Sequence, residues 1–338
     1  MTPCPRHILT WIAGLLIAAQ TLAAQVGWTQ ISVSGSAPDA GMTTVALYYP
    51  TQARASAVTM GPLVLNVALQ APPDPTVKAL IMLSHGQGGS EISYSRLAEA
   101  LARQGYLVAA LRHPGDNWKD QSLLEKTPEL YFNVRPRQVS HVLDALLLDP
   151  KWKDRIARDA RGPRVGALGH SAGGYTVLAL AGGAPDLARL ARHCGEEGAE
   201  DPIFCSLRKG SRLPDPAPAP ALRDGRVRAV VAMAPVGAVF TPESLAAIRI
   251  PTVIYAPQLD RFLVPRFHSE WIARNMPGAE LRRVPNAGHF AFLDTPTMAI
   301  SSPDGDLGDN PPGFDRAAFL TRLGGELGAF FDQAFQKE

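Results

Sequence analysis

Short apolar runs alternate along this chain with longer stretches whose apolar residues fall at helical spacing. Val77–Leu83 is apolar except for Lys78, and Tyr106–Leu111, Val165–Leu168, Val227–Met233 and Thr252–Ala256 are of the same kind. Runs of this length without polar alternation predict strands buried on both faces. Glu280–Val284 is expected to close the series. Between them, Ser93–Gln104 (ended by Gly105) and Val139–Leu148 have helical spacing, and a last helix is expected from about Arg316 to Phe335. The opening segments differ. Trp28–Val33 and Thr43–Tyr49 alternate well enough to be antiparallel strands, with the turn over Gly35–Gly41, and Gln70–Pro75 reads as a surface loop. Strands in alternation with helices predict an α/β fold, a mostly parallel sheet with helices on both faces and the antiparallel pair at one edge. Residues 182–226 break the rhythm. They hold two cysteines and the run Leu213–Pro220, rich in Pro and Ala. This stretch is expected to be a cap or lid inserted over the site; the alternative is a long surface loop away from it.

The run Val165–Leu168 leads directly into Gly169-His170-Ser171-Ala172-Gly173, and Gly174–Ala181 after it can form a buried helix. Strand, sharp turn and helix are the context in which G-x-S-x-G acts as a nucleophile elbow, with the hydroxyl exposed at the strand tip. At this glycine and serine content about 0.13 such motifs would arise by chance. Two partners follow in the order Ser, Asp, His: Asp260 after the strand Thr252–Ala256, and His289 in Asn286-Ala-Gly-His-Phe290. Ser171 is the candidate nucleophile, His289 the base and Asp260 the acid that orients it. Asp294 is the reserve acid, although it stands only five residues past His289. Acyl transfer also needs donors for an oxyanion. The Ala172 N–H is one candidate. The loop Ser84-His-Gly-Gln-Gly-Gly89 supplies the other, assigned to the Gln87 N–H. That loop lacks the Lys-Ser/Thr of a phosphate-binding P-loop. His85, Trp118 and His170 are candidate pocket residues; a packed surface role is the alternative for Trp118.

The N-terminus changes the setting. Arg6 and His7 precede an apolar stretch, Ile8–Ala19, too short to span a bilayer, and small residues follow at Thr21–Ala24. Residues 1–24 therefore read as a signal peptide and 25–338 as one hydrolase domain, exported to the periplasm or secreted, with no membrane anchor after cleavage. Export removes Cys4, and in an oxidising compartment Cys194 and Cys205 are expected to pair. Charge adds little: 33 Lys and Arg against 31 Asp and Glu, with no basic block, gives no reason to expect nucleic acid. Asp304–Asp309 lacks the glycine of a calcium loop at its sixth position, so it reads as a capped acidic loop. No metal or organic cofactor is implied.

Ser84–Ser90, Tyr106–Gly115 with its Arg112-His-Pro-Gly ending, Arg135-Pro-Arg137 and the Gly-His-Ser elbow together resemble the predicted dienelactone hydrolases. These bacterial α/β-hydrolases are similar to secreted platelet-activating-factor acetylhydrolases and, more distantly, to cutinase-like polyester hydrolases. Pro311–Asp315 before the final helix looks familial too. The resemblance covers nearly all of the mature chain. It implies an α/β-hydrolase fold and a Ser171–His289–Asp260 triad acting on small-molecule, lipid or polyester esters. Where the namesake enzymes have a cysteine, this chain has Ser171. The acetylhydrolases carry their acid after an earlier strand, and here Val227–Val239 contains no Asp or Glu, which favours Asp260. The expectation is thus an exported serine esterase. The rivals are an amide or peptide hydrolase on the same residues and a non-catalytic binding protein on the same fold.

Overall fold

The computed structural model describes residues 24–35, 41–207 and 222–336. The expected signal peptide, apart from Ala24, and the Leu213–Pro220 run lie outside the described residues. Ten strands form the central sheet: β1 (Gln25–Ser34), β2 (Met42–Thr51), β3 (Ser56–Met60), β4 (Leu63–Leu69), β5 (Leu80–Ser84), β6 (Leu107–Arg112), β7 (Val165–His170), β8 (Val227–Met233), β9 (Thr252–Pro257) and β10 (Ala279–Val284). Their spatial order is β10-β9-β8-β7-β5-β6-β2-β1-β4-β3. The first six in that order are parallel. β2 is antiparallel to both β6 and β1. This is the mostly parallel α/β sheet that the apolar runs predict.

The order places the site. From β5 the chain crosses to β6 on one side and returns to β7 on the other. The carboxyl ends of neighbouring β5 and β7 therefore open the crevice where α/β sheets of this kind bind ligands. Among the described residues eight helices flank the sheet: α1 (Ser95–Arg103), α2 (Pro128–Leu148), α3 (Ala172–Ala181), α4 (Leu187–Glu196), α5 (Pro202–Ser206), α6 (Pro242–Ala246), α7 (Ser269–Asn275) and α8 (Arg316–Gln336). Leu97 and Leu101 of α1 share one core with Leu323 and Phe331 of α8. Leu143 of α2, Leu178 of α3 and Ile272 of α7 share the core on the other face. Each such fully buried side chain contributes about 1.5–3 kcal/mol relative to exposure. α3 is buried at every position, as expected of an all-apolar helix in a core.

Three features depart from the sequence reading. The antiparallel pair β1–β2 is not the edge of the sheet; the hairpin β3–β4, turning at Gly61, lies outside it. Leu63, Leu65 and Val67 face the core while Val64 and Asn66 face out, a period-two pattern that was available in the sequence. The helix expected over Val139–Leu148 begins eleven residues earlier, at Pro128, capped by Thr127, and runs through Pro136. Proline removes the N–H that would bond the Phe132 carbonyl, and the Tyr175 hydroxyl donates to that carbonyl instead, at 3.1 Å. Finally, α4 and α5 of the expected cap pack on the α3–α7 side of the sheet through Leu190 and Phe204.

His289 opens a short 3₁₀ turn over His289–Phe292, and the segment after it is tied to α1. Asp294 accepts from the Ser95 hydroxyl and from the Arg96 N–H at 3.1 Å, capping a helix whose own N-cap residue, Tyr94, has no side-chain bond to offer. Burial raises the Asp294 carboxyl to about 6. A raised carboxylate contributes stability below its unfolded value of about 3.9, and this is lost as pH rises through the folded value. The expected outcome is that wild type loses stability between pH 4 and 6.5 relative to Asp294→Asn, by at most about 3 kcal/mol. Urea unfolding of both proteins across that range checks it; parallel curves would contradict it.

Candidate active site

Ser171 sits at the carboxyl end of β7 with φ 56° and ψ −118°, a left-handed conformation that a non-glycine residue adopts only under constraint. The constraint is visible in its neighbours. A Cβ on Gly173 would lie 1.9 Å from the Ser84 carbonyl oxygen, and one on Gly169 would lie 2.1 Å from the Gly173 carbonyl oxygen. Only glycines let α3 begin this close to β5. The turn is pinned by Ser171 N–H donating to Met233 at 2.9 Å and Val236 N–H donating to the Ser171 carbonyl at 3.1 Å.

The structure brings Ser171, His289 and Asp260 together. The Ser171 Oγ lies 3.0 Å from His289 Nε2, and His289 Nδ1 lies 2.8 Å from Asp260 Oδ2. A carboxylate only accepts, so His289 Nδ1 carries the proton there and Nε2 is left to accept from the serine hydroxyl. The other Asp260 oxygen accepts from the N–H groups of Phe262 (2.9 Å) and Leu263 (2.7 Å), which fixes the carboxylate in its turn. The Phe262 ring lies flat on the His289 ring, with centroids 4.8 Å apart. All three side chains are buried. Asp294, the reserve acid, is committed to α1 instead.

The loop after β5 is held almost atom by atom. Gly86 N–H donates to the Tyr94 hydroxyl at 3.2 Å, Gly88 N–H to Asp116 at 2.8 Å and Gly89 N–H to the Gly86 carbonyl at 3.1 Å. The Gln87 N–H is the backbone donor of residues 86–89 without a partner among the described residues. The Ala172 N–H, in the first turn of α3, likewise has none there. Both expected donors are therefore free.

The three pocket candidates divide. Trp118 is 63% exposed and lines a cavity of about 680 Å³ above Ser171. His170 lines it too, but its ring is structural: Tyr94 OH donates to Nδ1 at 2.8 Å, and Nε2–H donates to the His289 carbonyl at 2.9 Å. Burial, with His289 alongside, pushes the His170 ring well below its usual range and keeps it neutral. Tyr94 and His170 thus link the Gly86 loop to the His289 turn. His85 is not a pocket residue. It is fully buried, with Nδ1–H donating to Gly86 O and Nε2 accepting from His113 N–H, so it braces the loop from beneath. Burial and the nearby Arg135 lower its ring to about 4. None of the described residues of 182–226 lines this cavity.

Beneath the loop lies an ion pair that the sequence reading did not assign. Arg135 is fully buried and donates to Asp116, the Ser84 hydroxyl, the His85 carbonyl and Thr176. Burial favours the neutral Asp116 acid, but Arg135, helped by Gly88 N–H and the Tyr131 hydroxyl, outweighs it and holds the carboxyl below its usual range. A charged residue on the buried stripe of α2, between Tyr131, Phe132 and Val139, was the available signal.

A second cluster joins the expected cap to the segment after Asp260. Cys194 and Cys205 form a disulfide, as expected. Asp201 Oδ2 accepts from His193 Nε2 (2.9 Å) and His268 Nε2 (2.8 Å). These three could suggest a metal centre. However, Gly237 N–H donates to His268 Nδ1, so the His268 proton resides on Nε2 and leaves no lone pair for an ion. His193 also faces Glu197. Burial favours the neutral ring, but the two carboxylates outweigh it and raise His193 above the usual imidazole range. The acidic loop at Asp304–Asp309 is capped as expected, with Asp306 accepting from Gly308 N–H and Arg261 paired to Asp304 at 2.7 Å.

The alpha/beta hydrolase family model matches residues 80–301, and the chain belongs to that family. The model for platelet-activating factor acetylhydrolase, isoform II, matches residues 26–127, in line with the resemblance read from the motifs. No curated protein matches the chain. Among solved structures, a ferulic acid esterase from Streptomyces cinnamoneus is similar with a TM-score of 0.62 and 20% identity, covering 94% of this chain and 92% of that one. At that identity the likeness is one of fold.

Removing one member of the Arg135–Asp116 pair would strand a buried charge. Arg135→Met is expected to destabilise by about 3–5 kcal/mol, and Arg135→Met with Asp116→Leu should recover part of that. Urea denaturation of wild type and both variants checks it. A single variant as stable as wild type would contradict the account of the loop.

Proposed function

We propose that this α/β-hydrolase cleaves carboxylic esters with Ser171 as nucleophile, His289 as general base and then acid, and Asp260 as the group that orients His289. The observation that carries the reading is the hydrogen-bond chain Ser171–His289–Asp260 beside a largely apolar cavity. Ser171 Oγ attacks the ester carbonyl as its proton passes to His289 Nε2. The oxyanion takes hydrogen bonds from the Gln87 and Ala172 N–H groups, the two donors left free. His289 then gives the proton to the departing alkoxide. Water, activated by the same ring, releases the acid from the acyl-enzyme. Asp260 stabilises the imidazolium formed at each step.

Export is part of the proposal. The leader read at residues 1–24 and the Cys194–Cys205 bond both fit an oxidising compartment. No helix of the described residues is long and apolar enough to cross a membrane. The 182–226 segment, in its described part, serves as a brace for the Asp260 side of the site.

Ser171→Ala is expected to lower kcat on a p-nitrophenyl ester by about 10⁴-fold or more with the fold intact, and Asp260→Asn by up to about 10⁴-fold. The Ser171→Ala/Asp260→Asn double variant should be little worse than Ser171→Ala, because the three residues act as a unit. Steady-state kinetics, with circular dichroism as the control for folding, test this. Near-normal turnover by Ser171→Ala would overturn the reading.

A further inference from the structure

Arg112 is the last residue of β6 and lines the same cavity as Ser171. Its Nε and one terminal nitrogen grip both oxygens of Glu91. The Glu91 side chain is 4% exposed and that of Arg112 27%, so the pair is set in the wall with the arginine facing outward. The other terminal nitrogen, Nη1, makes no hydrogen bond among the described residues. Alternation along β6 puts Arg112 on the α1 side of the sheet, with Val108 and Ala110, and Trp28 of β1 is on that side too. Leu63 of the hairpin, Ile92, Leu293 and Trp28 give the same cavity apolar wall, with Gln30 and Ser90 as neutral polar residues among them.

The sheet register fixes how far this donor is from the chemistry. Gly169 of β7, Ser84 of β5 and Leu111 of β6 lie side by side. Ser171 and Arg112 therefore leave the same rim two strands apart, roughly 10 Å between backbones. A substrate arm running from Ser171 across the loop after β5 meets apolar surface and then the free face of a guanidinium. Once such an arm expels water, an all-hydrocarbon tail would leave those N–H groups unpaired, whereas an oxygen acceptor would satisfy them. Charge selects the kind of oxygen. Besides Arg112, the charged groups on this wall are Glu91, which already neutralises it, and Asp294. A carboxylate gains little there, and a neutral acceptor fits.

Building on the serine-hydrolase reading, we propose that Arg112 is a specificity-determining residue that receives a second, neutral carbonyl oxygen of the substrate, so that the site prefers esters carrying a further carbonyl on the arm over hydrocarbon esters of equal length. Arg112 takes no part in bond cleavage.

The test uses two p-nitrophenyl esters of equal length, one ending in a methyl ester and the other in its hydrocarbon isostere. Their equilibrium binding to Ser171→Ala is measured by calorimetry, and their turnover by Ser171-containing protein by release of nitrophenolate. The diester should bind about 10- to 100-fold more tightly to Ser171→Ala, with a similar preference in kcat/KM. Arg112→Lys, which keeps a cation against Glu91 but loses the fork, should erase the preference, read as the ratio between the two esters in affinity and in kcat/KM. Arg112→Met/Glu91→Gln, which leaves no unpaired carboxylate, should do the same. Equal affinity of the two esters for Ser171→Ala, or a preference that survives in both variants, would overturn the proposal. Binding preference without turnover of either ester would support the Arg112 assignment and count against the hydrolase reading instead.

Discussion

The contact on which the rest of this structure depends is the approach of the first turn of α3 to the end of β5. Gly173 lies against the Ser84 carbonyl with no room for a Cβ, and Gly169 is pressed on Gly173 in the same way. That closeness forces Ser171 into a left-handed conformation at the strand tip. It also sets the Ala172 N–H beside the loop after β5, whose Gln87 N–H is free. A side chain at position 169 or 173 would push α3 from the sheet and separate the serine from both donors. The strain is borne by surroundings that leave little freedom: α3 is buried at every residue, and the elbow backbone bonds to Met233 and Val236 of the next strand and its exit.

Around that contact the polar groups form one connected system. Arg135 and Asp116 hold the loop from below, His85 and His113 fill the space beneath it, and Tyr94 with His170 carries the connection over to the carbonyl of His289. Burial keeps His85, His113 and His170 below the usual imidazole range, so these neighbouring rings add no positive charge that would disfavour protonation of His289. Of the backbone donors of residues 86–89, those of Gly86, Gly88 and Gly89 are satisfied, and the Gln87 N–H, the one the proposed chemistry needs, has no partner among the described residues. On the far side, the disulfide and the His193–Asp201–His268 cluster brace the segment following Asp260, and Asp201 also accepts from Val264 N–H at 3.4 Å. Distortion in any of these supports would reach the serine through few intermediates.

Much of this was legible in the sequence where local pattern and local chemistry agree. The apolar runs of the parallel strands, the G-x-S-x-G turn and the positions of Asp260 and His289 are short-range signals, and the fold brings those three residues within hydrogen-bond reach. The hairpin Ser56–Leu69 carries its own alternation in β4, and the start of α2 is hidden in the sequence because Pro136 reads as a stop. In that helix the Tyr175 hydroxyl, distant in sequence, serves the carbonyl that proline abandons, which no local pattern can reveal. His85 departs from the expectation for a related reason. Its place in a His-Gly loop beside the serine suggested the pocket, whereas its bonds to Gly86 and His113 turn it inward. The composition of 182–226 predicts a cap over the site, but its described part packs against the segment following Asp260 and lines none of the cavity.

The most direct test of the account is to trap the covalent intermediate. Wild-type protein mixed with a p-nitrophenyl ester and quenched in acid during turnover should carry one acyl group, and peptide mass spectrometry should find it on Ser171. The Asp260→Asn protein should still be acylated at Ser171, only far more slowly. An acyl group on another residue, or turnover with no acylated protein alongside a burst of nitrophenolate, would contradict the central claim that this elbow serine is the nucleophile.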